Sequence, residues 1–176
     1  MSKILHLTKL EAAQRQLARA IQMLFAEDDP VCTHTLAGAA SILLTDLVEH
    51  RIPGGTWERK AQDANHLRTA EFFKIARQSQ NFLKHARDDA TATLDFNTSD
   101  TDALLALAVM NASELAPLSP EAQVYQLWSL ALLTPKELST GSPFKEAIEY
   151  FGNLQNMERP QQLAAGRKGL AEFAPR

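Results

Sequence analysis

One segment of the chain places several chemically capable side chains on a single helical face. Arg77, Asn81 and His85 follow one another at four-residue spacing, so in a helix they stack one turn above another. Lys84 and Asp88 fall on the same polar arc of the helix. A cation, an amide and an imidazole arranged in this way can bind one ligand, and the imidazole can act as a general base.

The same helix has an apolar arc roughly opposite the polar one. Its members are Phe72, Ile75, Ala76, Phe82, Leu83 and Ala86. Any amphipathic helix turns its polar arc to water, so a solvated helix face is the competing interpretation. In the functional interpretation, the charges of Arg77 and Lys84 oppose protonation of His85 and leave more neutral imidazole available.

Residues 80–85, Gln-Asn-Phe-Leu-Lys-His, resemble the Arg-Asn-x-x-x-His signature of the HEPN superfamily. Members of that superfamily are small helical-bundle proteins, often dimeric, and many cut RNA in phage defence, toxin–antitoxin pairs and RNA processing. The expected order of elements is similar, with two long antiparallel helices before the motif helix. The resemblance implies a homodimer in which the motifs of both copies meet in a cleft and act on RNA.

Two positions of the signature match, Asn81 and His85, and Gln80 stands where the family has its arginine. A glutamine lacks the permanent charge that stabilises a phosphorane-like transition state. Arg77, one turn earlier on the same arc, or Lys84 is expected to take that role. The resemblance thus implies His85 as catalytic base or acid, with Asn81 orienting His85 or the substrate.

Three interpretations of function stay open. The first is a metal-independent endoribonuclease, or a degenerate form of one, with an RNA- or nucleotide-linked role in phage defence, toxin–antitoxin pairs or the stress response. The second is a non-catalytic interaction module, such as a toxin-neutralising or scaffold subunit with a cognate protein partner. Gln80 and the net charge of −3 favour the second. A ligand pocket near Trp57 or Trp128 is a third interpretation, with no specific motif behind it.

The composition is that of an ordinary globular protein, with 45% hydrophobic and 22% charged residues in a chain of 176. The single cysteine, Cys32, excludes an intramolecular disulfide and a multi-cysteine zinc site. There is no HExxH or HxxxH pattern and no glycine-rich phosphate loop, so neither a metal nor a cofactor is expected. No signal peptide and no segment of membrane-span length is evident, which predicts a cytoplasmic protein.

Capping signals and apolar spacing predict an all-α fold, an antiparallel bundle of four to five main helices with short C-terminal helices. One domain is expected, in which residues 1–90 form the motif-bearing core and residues 97–176 add packing helices. A capping box at Thr8 and Glu11 predicts a first helix that runs to about Phe25.

Asp29-Pro30 predicts the start of a central, very apolar second helix over roughly 31–50, with Leu43 almost wholly enclosed. The motif helix is expected over roughly 66–87, after a polar run at 59–65. Further helices are expected over about 100–115, from Pro120, from Phe144, and from about Pro160 to Phe173, the last one weakened by Gly166 and Gly169.

Overall fold

A computed structural model describes residues 4–65, 78–87, 89–133 and 143–173 of the chain. Within these ranges the regular secondary structure is helical and contains no β-strand, which confirms the all-α prediction. The helices pack around a shared hydrophobic core as a bundle. The helices are α1 (Lys9–Phe25), α2 (Pro30–Arg51), α3 (Trp57–Asn65), α4 (described over 78–84), α5 (Asp100–Leu115), α6 (Pro120–Ala131), α7 (Phe144–Phe151), a 3₁₀ turn (Leu154–Asn156) and α8 (Arg159–Phe173). The expected start of the motif helix, near residue 66, lies outside the described residues.

The first two helices begin at the residues whose side chains cap them. Thr8 Oγ1 accepts from the backbone N–H of Glu11 at 3.1 Å, and the Glu11 carboxylate accepts from the Thr8 N–H at 2.8 Å. The predicted capping box is therefore confirmed. Asp29 caps α2 by accepting from the Cys32 N–H at 2.8 Å. Between the two helices Glu27 adopts a φ of 56°, and the short turn brings α2 back along α1.

α2 is the central helix and packs on both α1 and α5. Its buried face consists mainly of small and polar residues, namely Thr33, His34, Ala37, Gly38, Ala40, Ser41, Leu44, Thr45 and Val48. The prediction that Leu43 is enclosed is wrong, because Leu43 is only half-buried while Leu44 is fully buried. Each residue advances the helix by 100°, so Leu43 lies on the flank of the inward face.

By length and composition alone, α2 also has the properties of a membrane span, with a mean hydropathy of 1.4 in its most apolar window. The prediction that no segment reaches the length of a membrane span is therefore wrong by this criterion. Half of the residues in that window are buried inside the bundle. Among the described residues no other helix is long and apolar enough to cross a membrane.

α3 is a helix where a polar run was predicted. Thr56 Oγ1 accepts from the Arg59 N–H at 3.3 Å at its start. The inward residues of α3 include Glu58 and Gln62, each only 5% exposed. Because this inward face is polar, the spacing of apolar residues gives no sign of the helix.

α8 closes the bundle against the end of α1. Gly166 is buried, and a β-carbon at this position would lie 2.2 Å from Cε1 of Phe25. Gly169 likewise faces Val124, at 3.0 Å from Cγ1. The two glycines predicted to weaken α8 therefore permit its close approach to the core. Arg167 adds a hydrogen bond from Nε to the Phe25 carbonyl oxygen at 2.9 Å.

Both tryptophans use their indole N–H within the fold. Trp128 is fully buried and donates to the carbonyl oxygen of Gln162 at 2.7 Å. Trp57 donates to a carboxylate oxygen of Glu114 at 3.0 Å, and the Lys60 ammonium lies 4.1 Å from its ring centroid. Neither indole N–H is left to recognise a ligand, so the interpretation as a tryptophan-based pocket gains no support.

Candidate functional site

The motif residues lie at the C-terminal end of α4. The His85 N–H donates to the Asn81 carbonyl oxygen at 3.0 Å, and helical structure ends at Lys84 rather than near residue 87 as predicted. Beyond Leu83 the helix has no apolar side chain to bury, because Ala86 is exposed. Since packing of an apolar face supplies most of the stability of a helix, the chain leaves the helix at His85.

Asn81 and His85 line the same open cleft, which has a volume of about 450 Å³. One wall of the cleft is α4, and the other is the segment that follows it at residues 89–94. The residues that line it are Gln78, Asn81, Phe82, His85, Asp89, Ala92, Thr93 and Leu94. Asn81 and His85 are both exposed, so both are accessible to a ligand in the cleft.

Of the other two predicted catalytic residues, Lys84 and Arg77, the structure describes only Lys84. Lys84 is exposed but is not among the residues lining the cleft. Its charge instead acts on the buried ring of His34 in α2, whose protonation it opposes. Arg77 and Asp88 lie outside the described residues. Two of the four predicted catalytic residues are therefore shown to share one site.

Gln80, at the position of the family's arginine, faces the interior. Its side chain is 2% exposed, and a β-carbon on Gly38 of α2 would lie only 1.3 Å from Gln80 Nε2. The amide thus occupies the space that any side chain at position 38 would need. The Gln80 side chain is packed against α2 and does not line the cleft.

Three polar residues of the cleft, Gln78, Asp89 and Thr93, were not predicted as site residues, and Phe82 was expected on the core face. Phe82 is half-buried and lines the cleft beside Asn81. The side chains provide two amides, one imidazole, one carboxylate and one aromatic ring. No lysine or arginine lines the cleft among the described residues. Nothing in the sequence of residues 89–94 indicates that this segment lies against α4.

The described residues include no group of three or more His, Cys, Asp or Glu side chains that could hold a metal ion. The chain matches no protein-family model, no curated protein and no solved structure. The likeness to the HEPN signature therefore rests on Asn81 and His85. What the site does has to be argued from its own geometry.

Proposed function

We propose that the protein is a HEPN-like helical protein that binds single-stranded RNA or a nucleotide in the cleft lined by Asn81 and His85. The observation that carries this proposal is that the two matched motif residues line one open cleft. The volume of about 450 Å³ lies within the range of small-ligand sites. As implied by the resemblance, the proposal includes a cytoplasmic homodimer with a role in phage defence, a toxin–antitoxin pair or the stress response.

The chemistry of the cleft suits an unpaired nucleotide. The ring of Phe82 offers an aromatic surface on which a base can stack. The amides of Gln78 and Asn81 each carry donors and an acceptor, which match the mixed donor and acceptor pattern of a base edge. The imidazole of His85 lies at the end of the same row, where it would contact ribose or phosphate.

The same features favour a degenerate ribonuclease over an efficient one. In cleavage, His85 would take the proton of a ribose 2′-hydroxyl while that oxygen attacks phosphorus to form a 2′,3′-cyclic phosphate. The 5′-oxygen would leave with a proton from water. The negative charge that develops on the phosphate needs a fixed cation. Among the described residues no cation lines the cleft, since Gln80 is uncharged and buried and Lys84 is not part of the lining. We therefore propose binding with weak or no cleavage.

Fluorescence anisotropy with a labelled single-stranded RNA of mixed sequence tests the proposal. We expect His85→Ala and Asn81→Ala each to weaken binding about tenfold, which is ~1.4 kcal/mol. His50→Ala is the matched control, because His50 is an exposed histidine at the end of α2, away from the cleft lining. The proposal fails if the native chain binds neither this RNA nor a labelled nucleotide, or if His85→Ala and His50→Ala bind equally well.

The non-catalytic interaction module remains the second proposal, and the inward orientation of Gln80 favours it. An interaction module needs no cation beside His85, only exposed hydrogen-bonding groups such as those of Asn81 and Gln78. Co-purification with the product of a neighbouring gene tests this proposal. A stoichiometric complex that forms with the native chain and is lost in His85→Ala, together with no RNA binding, would favour this second function.

A further inference from the structure

Two buried side chains on facing helices carry polar atoms without a partner. Among the described residues, His34 Nε2 on α2 and Gln80 Nε2 on α4 have no hydrogen-bond partner. The side chains are 1% and 2% exposed. A buried polar group without a partner costs about 1–3 kcal/mol, so two of them in one region call for an explanation.

The positions of Gly38 and His34 place the Gln80 amide near the His34 side chain. Gly38 follows His34 by four residues on α2, and β-carbons at this spacing are about 5–6 Å apart. Gln80 Nε2 lies 1.3 Å from the β-carbon position of Gly38. The amide of Gln80 is thus about one helical turn from the β-carbon of His34. Since the two nitrogens form no direct hydrogen bond, that separation suits a bridge through one water molecule.

The second ring nitrogen of His34, Nδ1, already has a partner. Nδ1 lies 3.0 Å from Thr101 Oγ1 at the start of α5, and the ring packs edge-on against Phe96 with centroids 5.1 Å apart. Burial lowers the pKa of His34, Asp100 on α5 raises it, and Lys84 on α4 lowers it. A neutral imidazole has one donor and one acceptor nitrogen, and a primary amide can satisfy either tautomer.

We propose that Gln80 is a positioning residue whose amide is linked to His34 Nε2 through one buried water molecule. The contact joins α5, α2 and α4 in the order Thr101, His34, Gln80. It holds α4 against α2 and so sets the position of Asn81 and His85 in the cleft. Gly38 leaves the space in which the amide lies. The inference does not depend on what binds in the cleft.

Nitrogen-15 NMR of the histidine rings in the full chain tests this contact. In the native chain we expect His34 in one neutral tautomer, with a ring N–H that is protected from exchange with water. Gln80→Met, which keeps the volume and removes the amide, should shift the His34 Nε2 resonance. Gln80→Met should also raise the hydrogen-exchange rate of the His85 backbone N–H, which donates to the Asn81 carbonyl oxygen, by about tenfold.

Gln78→Met is the matched control, because it makes the same chemical change at an exposed position of α4. It should leave the His34 resonances unchanged, and the exposed ring of His50 should respond to neither variant. A His34 resonance that Gln80→Met does not move would overturn the proposal. If Gln80→Met does not fold, the exchange of the His34 ring N–H in the native chain is the test. A ring N–H that is not protected from exchange would also rule the contact out.

Discussion

The amide of Gln80 occupies the space above Gly38 that a β-carbon would fill, with Nε2 at 1.3 Å from the ideal Cβ position. A glycine on α2 and a long amide on α4 therefore form a complementary pair. The contact brings α4 close to α2, while Asn81 and His85, on another face of α4, stay exposed.

Gly38→Ala tests this pair. Alanine favours a helix over glycine by about 1 kcal/mol, but overpacking against Gln80 should outweigh that gain and lower the free energy of unfolding by about 1–3 kcal/mol. In a Gln80→Ala background the space is vacated, and Gly38→Ala should cost much less there. Urea denaturation of the four chains measures this difference. An equal cost in both backgrounds would show that the two residues do not compete for the same space.

Restoring the arginine of the HEPN signature with Gln80→Arg should not restore catalysis. It would place a guanidinium against α2 without an anionic partner, which we expect to cost about 3 kcal/mol or more. Gln155→Arg, at an exposed position away from the cleft lining, should change stability by less than about 0.5 kcal/mol. Thermal unfolding and an RNA cleavage assay compare the two variants. A stable, cleaving Gln80→Arg protein would mean that position 80 reaches the cleft.

Stability should fall in mild acid because of His34. Burial lowers its pKa in the folded protein below the ordinary value of 6.5, so the unfolded chain binds more protons there. The free energy of unfolding should therefore be constant above about pH 7.5 and fall as the pH drops through 6.5 towards the folded-state pKa. His34→Gln, which does not titrate, should remove this part of the slope. Urea denaturation between about pH 5 and about pH 8 measures it. An identical slope in the native chain and in His34→Gln would assign the acid sensitivity to other groups.

The buried carboxylate of Glu58 depends on Asn111. Asn111 Nδ2 donates to a carboxylate oxygen of Glu58 at 2.8 Å, and Asn111 Oδ1 accepts from the backbone N–H of Trp57 at 3.0 Å. Asn111→Ala would leave both groups short of a partner and should cost about 2–3 kcal/mol. Ser113→Ala, at an exposed site two residues along α5, should cost less than about 0.5 kcal/mol. Chemical denaturation compares them, and similar losses would show that water replaces the Asn111 side chain.

Leucine truncations along α2 should report its orientation. Leu44→Ala removes a fully buried side chain and should cost on the order of 2–5 kcal/mol. Leu43→Ala, at a half-buried position, should cost clearly less. Urea denaturation gives both values. A larger loss for Leu43→Ala would mean that α2 is rotated about its axis by roughly one residue.

Helices that begin at a local capping signal were predicted from the sequence. α1 begins next to its capping box of Thr8 and Glu11, and α2 begins at Pro30, directly after its cap Asp29. Both signals lie at the helix start itself and can be read from the local sequence. α3 was missed because its inward face carries Glu58, whose partners lie on α2 and α5. Periodicity of apolar residues cannot show a helix that is held by polar contacts.

Only the part of the candidate site that depends on local spacing could be predicted from the sequence. Asn81 and His85 are four residues apart, so helical geometry alone places them on neighbouring turns. The inward orientation of Gln80 depends on Gly38, which is distant in sequence and belongs to another helix. The opposite wall of the cleft depends on how residues 89–94 lie against α4, and their sequence carries no signal for this.

The contact between Phe25 and Gly166 has a consequence for the order of events during synthesis. Arg167, which bonds to the Phe25 carbonyl oxygen, comes 142 residues after it in the chain. The end of α1 therefore stays uncovered on the ribosome until α8 has emerged. Domains with such long-range contacts fold more slowly than those with local ones. Until then Phe25 and Trp128, whose rings are 5.1 Å apart, lack the contacts that α8 makes with them.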